Sequence, residues 1–126
     1  MRQNTTPAVL ARAFTVAWTS HDLDAAADYV ADDVTFASPV LQFSGKRAYM
    51  DGLAAFARTI TETTILAAFG DDAQALILYD VALGPARALT CAELLTFRDG
   101  KIASHLGTSS VRPAAQSPSA PPEPTA

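Results

Sequence analysis

The chain has few of the residues that build metal sites, disulfides and nucleic-acid contacts. It contains one cysteine and two histidines without a recognisable ligand spacing, so we expect neither an internal disulfide nor a metal site. Its nine basic residues are scattered and its net charge is −4, whereas a nucleic-acid-binding face needs clustered Lys and Arg. It has no glycine-rich phosphate loop and no dinucleotide fingerprint. We therefore predict no cofactor and no nucleic-acid partner.

Long apolar runs are also missing. No stretch approaches the roughly 20 apolar residues needed to cross a bilayer, and the start of the chain lacks the apolar core of a signal peptide. These absences predict a cytoplasmic protein that does not contact membranes.

A chain of 126 residues, 49% hydrophobic and 17% charged, suits one globular domain. We assign that domain to residues 1–111 and predict that residues 112–126, rich in proline, alanine and serine, form a disordered tail.

Helical signals fill the first half of the domain. Thr5 or Thr6 before Pro7 is typical of an N-cap followed by proline in the first helical turn. Asp22 is predicted to cap a second, short helix, and apolar residues at spacings of three and four indicate a third. The predicted helices cover residues 7–20, 22–30 and 46–61, and a short strand covers 34–36 after a break at the paired aspartates 32–33.

Strand signals fill the second half, where β-branched and aromatic residues predominate. The predicted strands cover residues 63–69, 73–83, 86–97 and 101–111, with glycine-containing turns between them. Three helices followed by a meander predict an α+β domain in which N-terminal helices pack on one face of a curved antiparallel sheet. We expect the helices and the sheet to enclose an apolar cavity of ligand size.

Glu93 is the first candidate for a functional residue. Alternation along the strand at 86–97 places it on the bulkier, more apolar face with Cys91 and Leu95. Burying an unpaired carboxylate is costly, so an inward Glu93 must be paired, protonated or turned toward a wet cavity. The opposite strand phase would instead point Glu93 at solvent or at a dimer partner.

The turn at residues 98–100 decides which residue faces Glu93. A three-residue loop with Gly100 in the left-handed region would pair Glu93 with His105 and make an acid–base pair. A two-residue turn at Asp99-Gly100 would pair Glu93 with Leu106 and put His105 on the other face. A histidine at a sheet surface would also be ordinary, because histidine tolerates partial burial.

Five aromatic residues could line a cavity for a flat apolar ligand, although the same spacing also fits ordinary core packing. They are Trp18, Tyr29, Phe36, Tyr49 and Phe56.

Several segments together resemble the nuclear-transport-factor-2-like superfamily, which includes SnoaL-like polyketide cyclases and ketosteroid isomerases. The resemblance covers about residues 7–111 and rests on residues 18–24, 29–34, 45–47 and 97–102. It implies a cone-shaped α+β fold with an internal pocket and an inward Glu93 and His105. It also implies a homodimer that pairs through the outer sheet face, with which Ala92, Leu94 and Ile102 are compatible.

The resemblance does not identify a reaction. Ser38-Pro39 stands where ketosteroid isomerases have their aspartate base and proline, and Phe14 stands where they have an oxyanion tyrosine. Glu93 falls at the position of their protonated oxyanion acid. Residues 108–110 offer no match for the aspartate that many SnoaL-like members carry late in the last strand, and the two aspartates and arginine of limonene epoxide hydrolases are not recognisable. Isomerisation of ketosteroids by that mechanism is therefore not expected.

Our leading functional hypothesis is an enzyme that transfers protons on a small, largely apolar metabolite, as in isomerisation, cyclisation or hydration. Glu93 would act as general acid or hydrogen-bond donor, and His105 would be the base or would orient it. Ser38 and Ser109 could hydrogen-bond the substrate. The alternative is a non-catalytic ligand-binding or dimerisation domain of the same fold.

Overall fold

The structure, a computed structural model, describes residues 6–113. In chain order its elements are α1 (Pro7–Thr19), α2 (Leu23–Ala27), β1 (Val30–Ala37), β2 (Gln42–Ser44), α3 (Lys46–Ala57), β3 (Glu62–Gly70), β4 (Gln74–Ala82), β5 (Arg87–Arg98) and β6 (Lys101–Pro113). No helix within residues 6–113 is long and apolar enough to cross a membrane.

The first two helices begin at the predicted caps. The Thr6 hydroxyl accepts a hydrogen bond from the Val9 amide at 3.4 Å, with Pro7 in the first helical turn. The Asp22 carboxylate accepts from the Ala25 amide at 3.2 Å. These side chains satisfy amides that have no partner inside the helix, and so fix where each helix begins.

The second helix is shorter than predicted, because the chain enters β1 at Val30. Val30 pairs with Ile102 of β6, and the Ile102 amide donates to the Tyr29 carbonyl at 2.7 Å. Pairing with a distant strand thus overrides the local helical pattern. The prediction that helix continues through Val30 was wrong, and β2, only three residues long, was not predicted.

The third helix was also predicted too long. It ends at Ala57 rather than near residue 61, and the Thr59 hydroxyl donates to the Phe56 carbonyl at 2.7 Å just beyond its end. Its inner face buries Tyr49 and Leu53. This helix therefore covers the concave side of the sheet with an aromatic ring.

The six strands form one curved, unclosed sheet in the order β2-β1-β6-β5-β4-β3. All neighbouring strands run antiparallel except β1 and β6, which are parallel. The predicted meander, β3 to β6, is antiparallel as expected, and the expected antiparallel sheet is mixed only through the pair of β1 and β6. The parallel pair arises because β1, which precedes α3 in the chain, lies beside β6 at the edge of the meander. This pairing joins residues far apart in the sequence, so no local signal predicts it.

The core lies between the three helices and the concave face of the sheet. Its largest fully buried side chains include Phe14, Trp18, Tyr79 and Leu95. Ile102 also belongs to this core, with 0% of its surface exposed, so its assignment to the outer face was wrong. Strand β6 continues to Pro113, past the predicted domain end at residue 111, and the rest of the predicted tail lies outside the described residues.

Candidate active site

The strand phase predicted for Glu93 is the one observed. Its neighbours on the inner face of β5, Cys91 and Leu95, are buried at 2% and 0% exposure. The Glu93 carboxylate faces the helices and borders a cavity between helices and sheet. The alternative phase, with this carboxylate directed at solvent, is excluded.

The hairpin between β5 and β6 has the two-residue turn of one predicted alternative and the inward His105 of the other. Its turn has two residues, Asp99 and Gly100, both with positive φ (54° and 76°). A bulge follows, because Thr96 pairs with Ser104 whereas Phe97 pairs with Ile102, which leaves Ala103 without a partner on β5.

This bulge decides the direction of His105. Glu93 pairs with Gly107, and His105 pairs with Leu95, so neither predicted partner of Glu93 was right. The extra residue shifts β6 by one position and turns His105 back to the inner face. His105 and Glu93 then meet diagonally across the two strands.

Four side chains form a continuous polar chain at the inner face. The Tyr79 hydroxyl donates to Glu93 Oε2 at 2.8 Å. Glu93 Oε1 lies 2.5 Å from His105 Nε2, and His105 Nδ1 lies 2.5 Å from the Tyr49 hydroxyl. The contact between His105 and Glu93 is bent, since the ring N–H is not directed along the line to Oε1. It is therefore an electrostatic contact rather than a straight hydrogen bond.

Three of these four side chains border the cavity, and Glu93 is the most exposed of them. The side chain of Glu93 is 13% exposed, whereas that of His105 is 1% exposed. Tyr49 and Tyr79 are buried at 2% and 0% exposure. A molecule in the cavity can thus reach the carboxylate. His105 and Tyr49 also border the cavity, whereas Tyr79 supports the carboxylate from outside the cavity wall.

The groups around Glu93 keep their protons. Burial, and then the charge of Glu93, raise the pKa of Tyr49 and that of Tyr79 well above the usual tyrosine value. The same two causes raise the pKa of the Cys91 thiol to about 12. Near neutral pH these three neighbours are uncharged, and the tyrosine hydroxyls remain hydrogen-bond donors.

The direction of the hydrogen bond between Tyr49 and His105 depends on the tautomer of the ring. With the ring proton on Nε2, the Tyr49 hydroxyl donates to Nδ1; with the ring proton on Nδ1, the ring donates to the Tyr49 hydroxyl. Tyr79 donates to Oε2 of Glu93, whereas His105 lies against Oε1 of the same carboxylate. The sequence indicated Glu93 and His105 but not these two tyrosine contacts.

The cavity has a volume of about 660 Å³ and a largely apolar wall. Four of the five aromatic residues expected at a ligand border it: Trp18, Phe36, Tyr49 and Phe56. Tyr29 is not among the lining residues and instead packs edge-on against Phe14, with ring centroids 6.4 Å apart. Among the described residues, no lysine or arginine lines this cavity.

The two serines expected at the substrate both border the cavity, but they differ in what they can offer. The Ser38 hydroxyl accepts from the Leu41 amide at 3.1 Å and from the Val40 amide at 3.4 Å, so it is engaged within its own turn. Ser109 lies on β6 opposite Cys91, on the inner face of the sheet. Ser109 is thus the better candidate for a polar contact to a ligand.

Sequence reasoning missed two residues next to Glu93, Tyr79 and Gly107. Tyr79 alternates with Ile77 and Val81 along β4, so its inward direction could have been read from the pattern. Its contact with Glu93 required the register between β4 and β5, where Tyr79 pairs with Cys91. Gly107, the residue opposite Glu93, gave no signal, because a lone glycine in a strand has several explanations.

The metal prediction can be compared only with the part of the chain that the structure describes. Within residues 6–113, no three His, Cys, Asp or Glu side chains are grouped as a metal site would require.

Three N-terminal helices on a curved mixed sheet define a nuclear-transport-factor-2-like fold. The model of the SnoaL-like domain family matches residues 11–105, and the chain belongs to this family. No curated protein matches it.

Several solved structures share the fold. A protein from Kribbella flavida DSM 17836 is 31% identical, with a TM-score of 0.80 over 85% of this chain and 88% of that one. A second protein from that organism, proposed to be a ketosteroid isomerase, is 18% identical, with a TM-score of 0.71 over 93% and 83%. An LEH-like epoxide hydrolase from M. tuberculosis is 18% identical, with a TM-score of 0.70 over 82% of each chain. At 18% identity the last two support the fold alone.

Proposed function

We propose that this protein is a cofactor-independent acid–base enzyme of the isomerase, cyclase or hydratase type, acting on a small, uncharged and largely apolar metabolite. The observation that carries the proposal is the accessible carboxylate of Glu93, held by Tyr79 and His105 at the wall of an apolar cavity. A carboxylate in such a setting is a typical proton-transfer group.

In the proposed mechanism, Glu93 takes a proton from a carbon or oxygen atom of the bound substrate. Tyr79 and His105 hold the carboxylate in place before the transfer, so little reorganisation is needed. Glu93 then returns the proton to a different substrate atom, which leaves the enzyme unchanged after an isomerisation or cyclisation. This role differs from the general acid first expected, since Glu93 begins as a hydrogen-bond acceptor from Tyr79.

His105 is proposed to be a positioning residue rather than a catalytic one. Its ring borders the cavity, but its side chain is only 1% exposed against 13% for Glu93, so Glu93 is the more accessible of the two groups. The ring instead connects Tyr49 to Glu93 and stabilises the negative charge of the carboxylate. We therefore assign proton transfer to Glu93 and orientation of Glu93 to His105 and Tyr79.

The cavity wall supports an uncharged substrate. Among residues 6–113 it carries the anionic Glu93 and neither lysine nor arginine, so a phosphate or carboxylate ligand would meet repulsion without a counter-charge. We propose that Trp18, Phe36, Tyr49 and Phe56 contact the apolar body of the substrate and that Ser109 hydrogen-bonds a polar group.

This proposal can be tested by measuring deuterium incorporation into small molecules. A mixture of compounds is used because no single substrate is proposed. The purified protein would be incubated in D2O with an extract of apolar metabolites, and mass spectrometry would record compounds that gain deuterium or change structure. We expect wild-type protein to label or convert at least one compound and Glu93→Gln to do neither. Glu62→Gln, an exposed glutamate on β3, is the matched control and should behave as wild type.

The same experiment separates the alternative function. A non-catalytic binding domain would retain a compound through purification, detected by native mass spectrometry, without converting or labelling it. Equal labelling by wild type and Glu93→Gln would contradict the catalytic proposal.

A further inference from the structure

The connection between β1 and β2 presents apolar side chains at the cavity. Residues 38–41 join the two strands, and both Val40 and Leu41 border the cavity. Yet Val40 is 84% exposed and Leu41 is 53% exposed. Most aliphatic side chains that line an enclosed cavity are buried, so these two lie at its mouth with much of their surface in contact with water.

Hydrogen bonds within the connection hold these side chains at the mouth. The Ser38 amide donates to the Leu41 carbonyl at 2.9 Å, and the Leu41 amide donates to the Ser38 hydroxyl at 3.1 Å. Ser38 is thus the residue that closes the turn. Because the turn is closed on itself, Val40 and Leu41 cannot fold into the core without breaking these hydrogen bonds.

The base of the same hairpin is anchored on α3. Phe36 pairs with Phe43, and their rings lie 5.7 Å apart. The Phe43 ring rests directly on α3 at Gly52, where an added Cβ would lie only 2.8 Å from its Cε2 atom. An added Cβ would therefore have to displace the end of the Phe43 ring, which itself borders the cavity.

We propose that residues 38–41 form a hydrophobic lip that contacts the bound ligand and selects uncharged apolar molecules. Ligand binding would cover Val40 and Leu41 and remove their apolar surface from water, which favours binding in proportion to the area covered. The lip offers no charged side chain, so a charged ligand group at the mouth would lose hydration without compensation. The inference rests on the proposed function only in that both concern one cavity; it does not require Glu93 to be catalytic.

The sole tryptophan of the chain makes binding measurable. Trp18 lines the cavity, and its emission overlaps the absorption of N-phenyl-1-naphthylamine, an uncharged apolar dye. Energy transfer from Trp18 would report dye bound to the protein, and the comparison of variants below would locate that dye at the cavity mouth. The dissociation constant would be compared for wild type, Val40→Ser and Val16→Ser. Val16 is a matched control, since it is a 50% exposed valine on α1 that does not line the cavity.

We expect Val40→Ser to weaken dye binding about tenfold, the loss that corresponds to much of a valine side chain being covered, and Val16→Ser to leave it unchanged. Val40→Ser and Leu41→Ser together should weaken it further. Gly52→Ala should also weaken it, because the added Cβ displaces the Phe43 ring toward the mouth. Equal binding by Val40→Ser and Val16→Ser would overturn the inference, as would a wild-type protein that shows no energy transfer.

Glu93→Gln separates this inference from the proposed function. If the inference about the lip is correct and the catalytic proposal is wrong, Val40→Ser weakens dye binding and Glu93→Gln labels and converts compounds as wild type does. If the catalytic proposal is correct and the inference about the lip is wrong, Glu93→Gln abolishes deuterium labelling and Val40→Ser binds the dye as tightly as wild type.

Discussion

His105 Nε2 lies 2.5 Å from Glu93 Oε1 although the two residues are not partners in the sheet, where Glu93 pairs with Gly107. The contact exists because a bulge at Ala103 turns His105 to the inner face, two residues before Gly107 on the same strand. The glycine at 107 leaves the space above the strand free for both side chains. An added Cβ there would lie 3.5 Å from His105 Nε2 and from Glu93 Oε2.

The contact can be tested through the two histidines of the chain. We expect Glu93→Gln to shift the imidazole nitrogen resonances of His105 and to leave those of the exposed His21 in place. The physical reason is the loss of the negative charge facing Nε2. Two-dimensional NMR of the imidazole nitrogens would measure both residues in one sample, and unchanged His105 resonances would show that the two groups do not interact.

Tyr79→Phe should destabilise the protein and lower activity without emptying the cavity. The variant removes the hydroxyl that donates to Glu93 Oε2 at 2.8 Å and leaves that oxygen poorly satisfied. We expect a loss of about 1–3 kcal/mol in the free energy of unfolding, measured by urea denaturation. Tyr29→Phe, at a tyrosine outside the cavity, is the control and should stay within about 0.5 kcal/mol of wild type. A Tyr79→Phe protein as stable and active as wild type would refute the role assigned to Tyr79.

Alkaline pH should destabilise the fold through Cys91. Its pKa is about 12 in the folded protein against 9.0 for an ordinary thiol, so the native state holds this proton more tightly than the unfolded state. The resulting stabilisation is complete below about pH 9 and is lost as the pH rises toward 12, by about 1.4 kcal/mol per pH unit. The raised pKa values of Tyr49 and Tyr79 act in the same direction at higher pH.

Cys91→Ala removes one of these titrating groups. Urea denaturation of both proteins across alkaline pH would give the free energy of unfolding, and we expect a shallower fall for Cys91→Ala than for wild type. Identical slopes would mean that the thiol is not perturbed by burial and by Glu93.

Gly107→Ala should separate stability from activity. Its Cβ would make ordinary contacts at 3.5 Å with Glu93 and His105, so the fold should hold, with stability changed by less than about 1 kcal/mol. The methyl group would nevertheless narrow the approach to the carboxylate and lower turnover. Gly70→Ala is the contrast, because its Cβ would lie 2.6 Å from the Gln74 carbonyl oxygen and should destabilise the protein. Thermal melting and the deuterium assay would report the two effects, and full activity in Gly107→Ala would count against the site.

A homodimer remains a prediction, and the outer sheet face offers a place to test it. Phe69, Leu76, Leu94 and Leu106 pair in succession across β3, β4, β5 and β6 and form an apolar row. Phe69, Leu76 and Leu106 are 69%, 49% and 55% exposed. We expect sedimentation velocity to show a dimer that Leu106→Glu dissociates and that Val16→Glu, on α1, leaves intact. A monomeric wild type would contradict the prediction.

Much of the site could be anticipated where the signal was local. The inward direction of Glu93 agrees with the alternation along β5, which makes one face of this strand bulkier and more apolar than the other. The direction of His105 could not be read, because one bulged residue reverses the alternation and nothing in the sequence marks Ala103 as that residue. Tyr29 was predicted at the cavity because it is aromatic. It packs against Phe14 instead, since the fold places it away from the cavity.

The sequence by itself determined the order of the helices and of every strand except β2, the caps at Thr6 and Asp22 and the face of β5 that carries Glu93. Each of these depends on residues near one another in the chain. Only the tertiary structure decided the parallel pairing of β1 with β6, the bulge at Ala103 and the meeting of Tyr49, His105, Glu93 and Tyr79. These depend on register between strands that are distant in sequence, where packing and hydrogen bonding of the whole sheet outweigh any local preference.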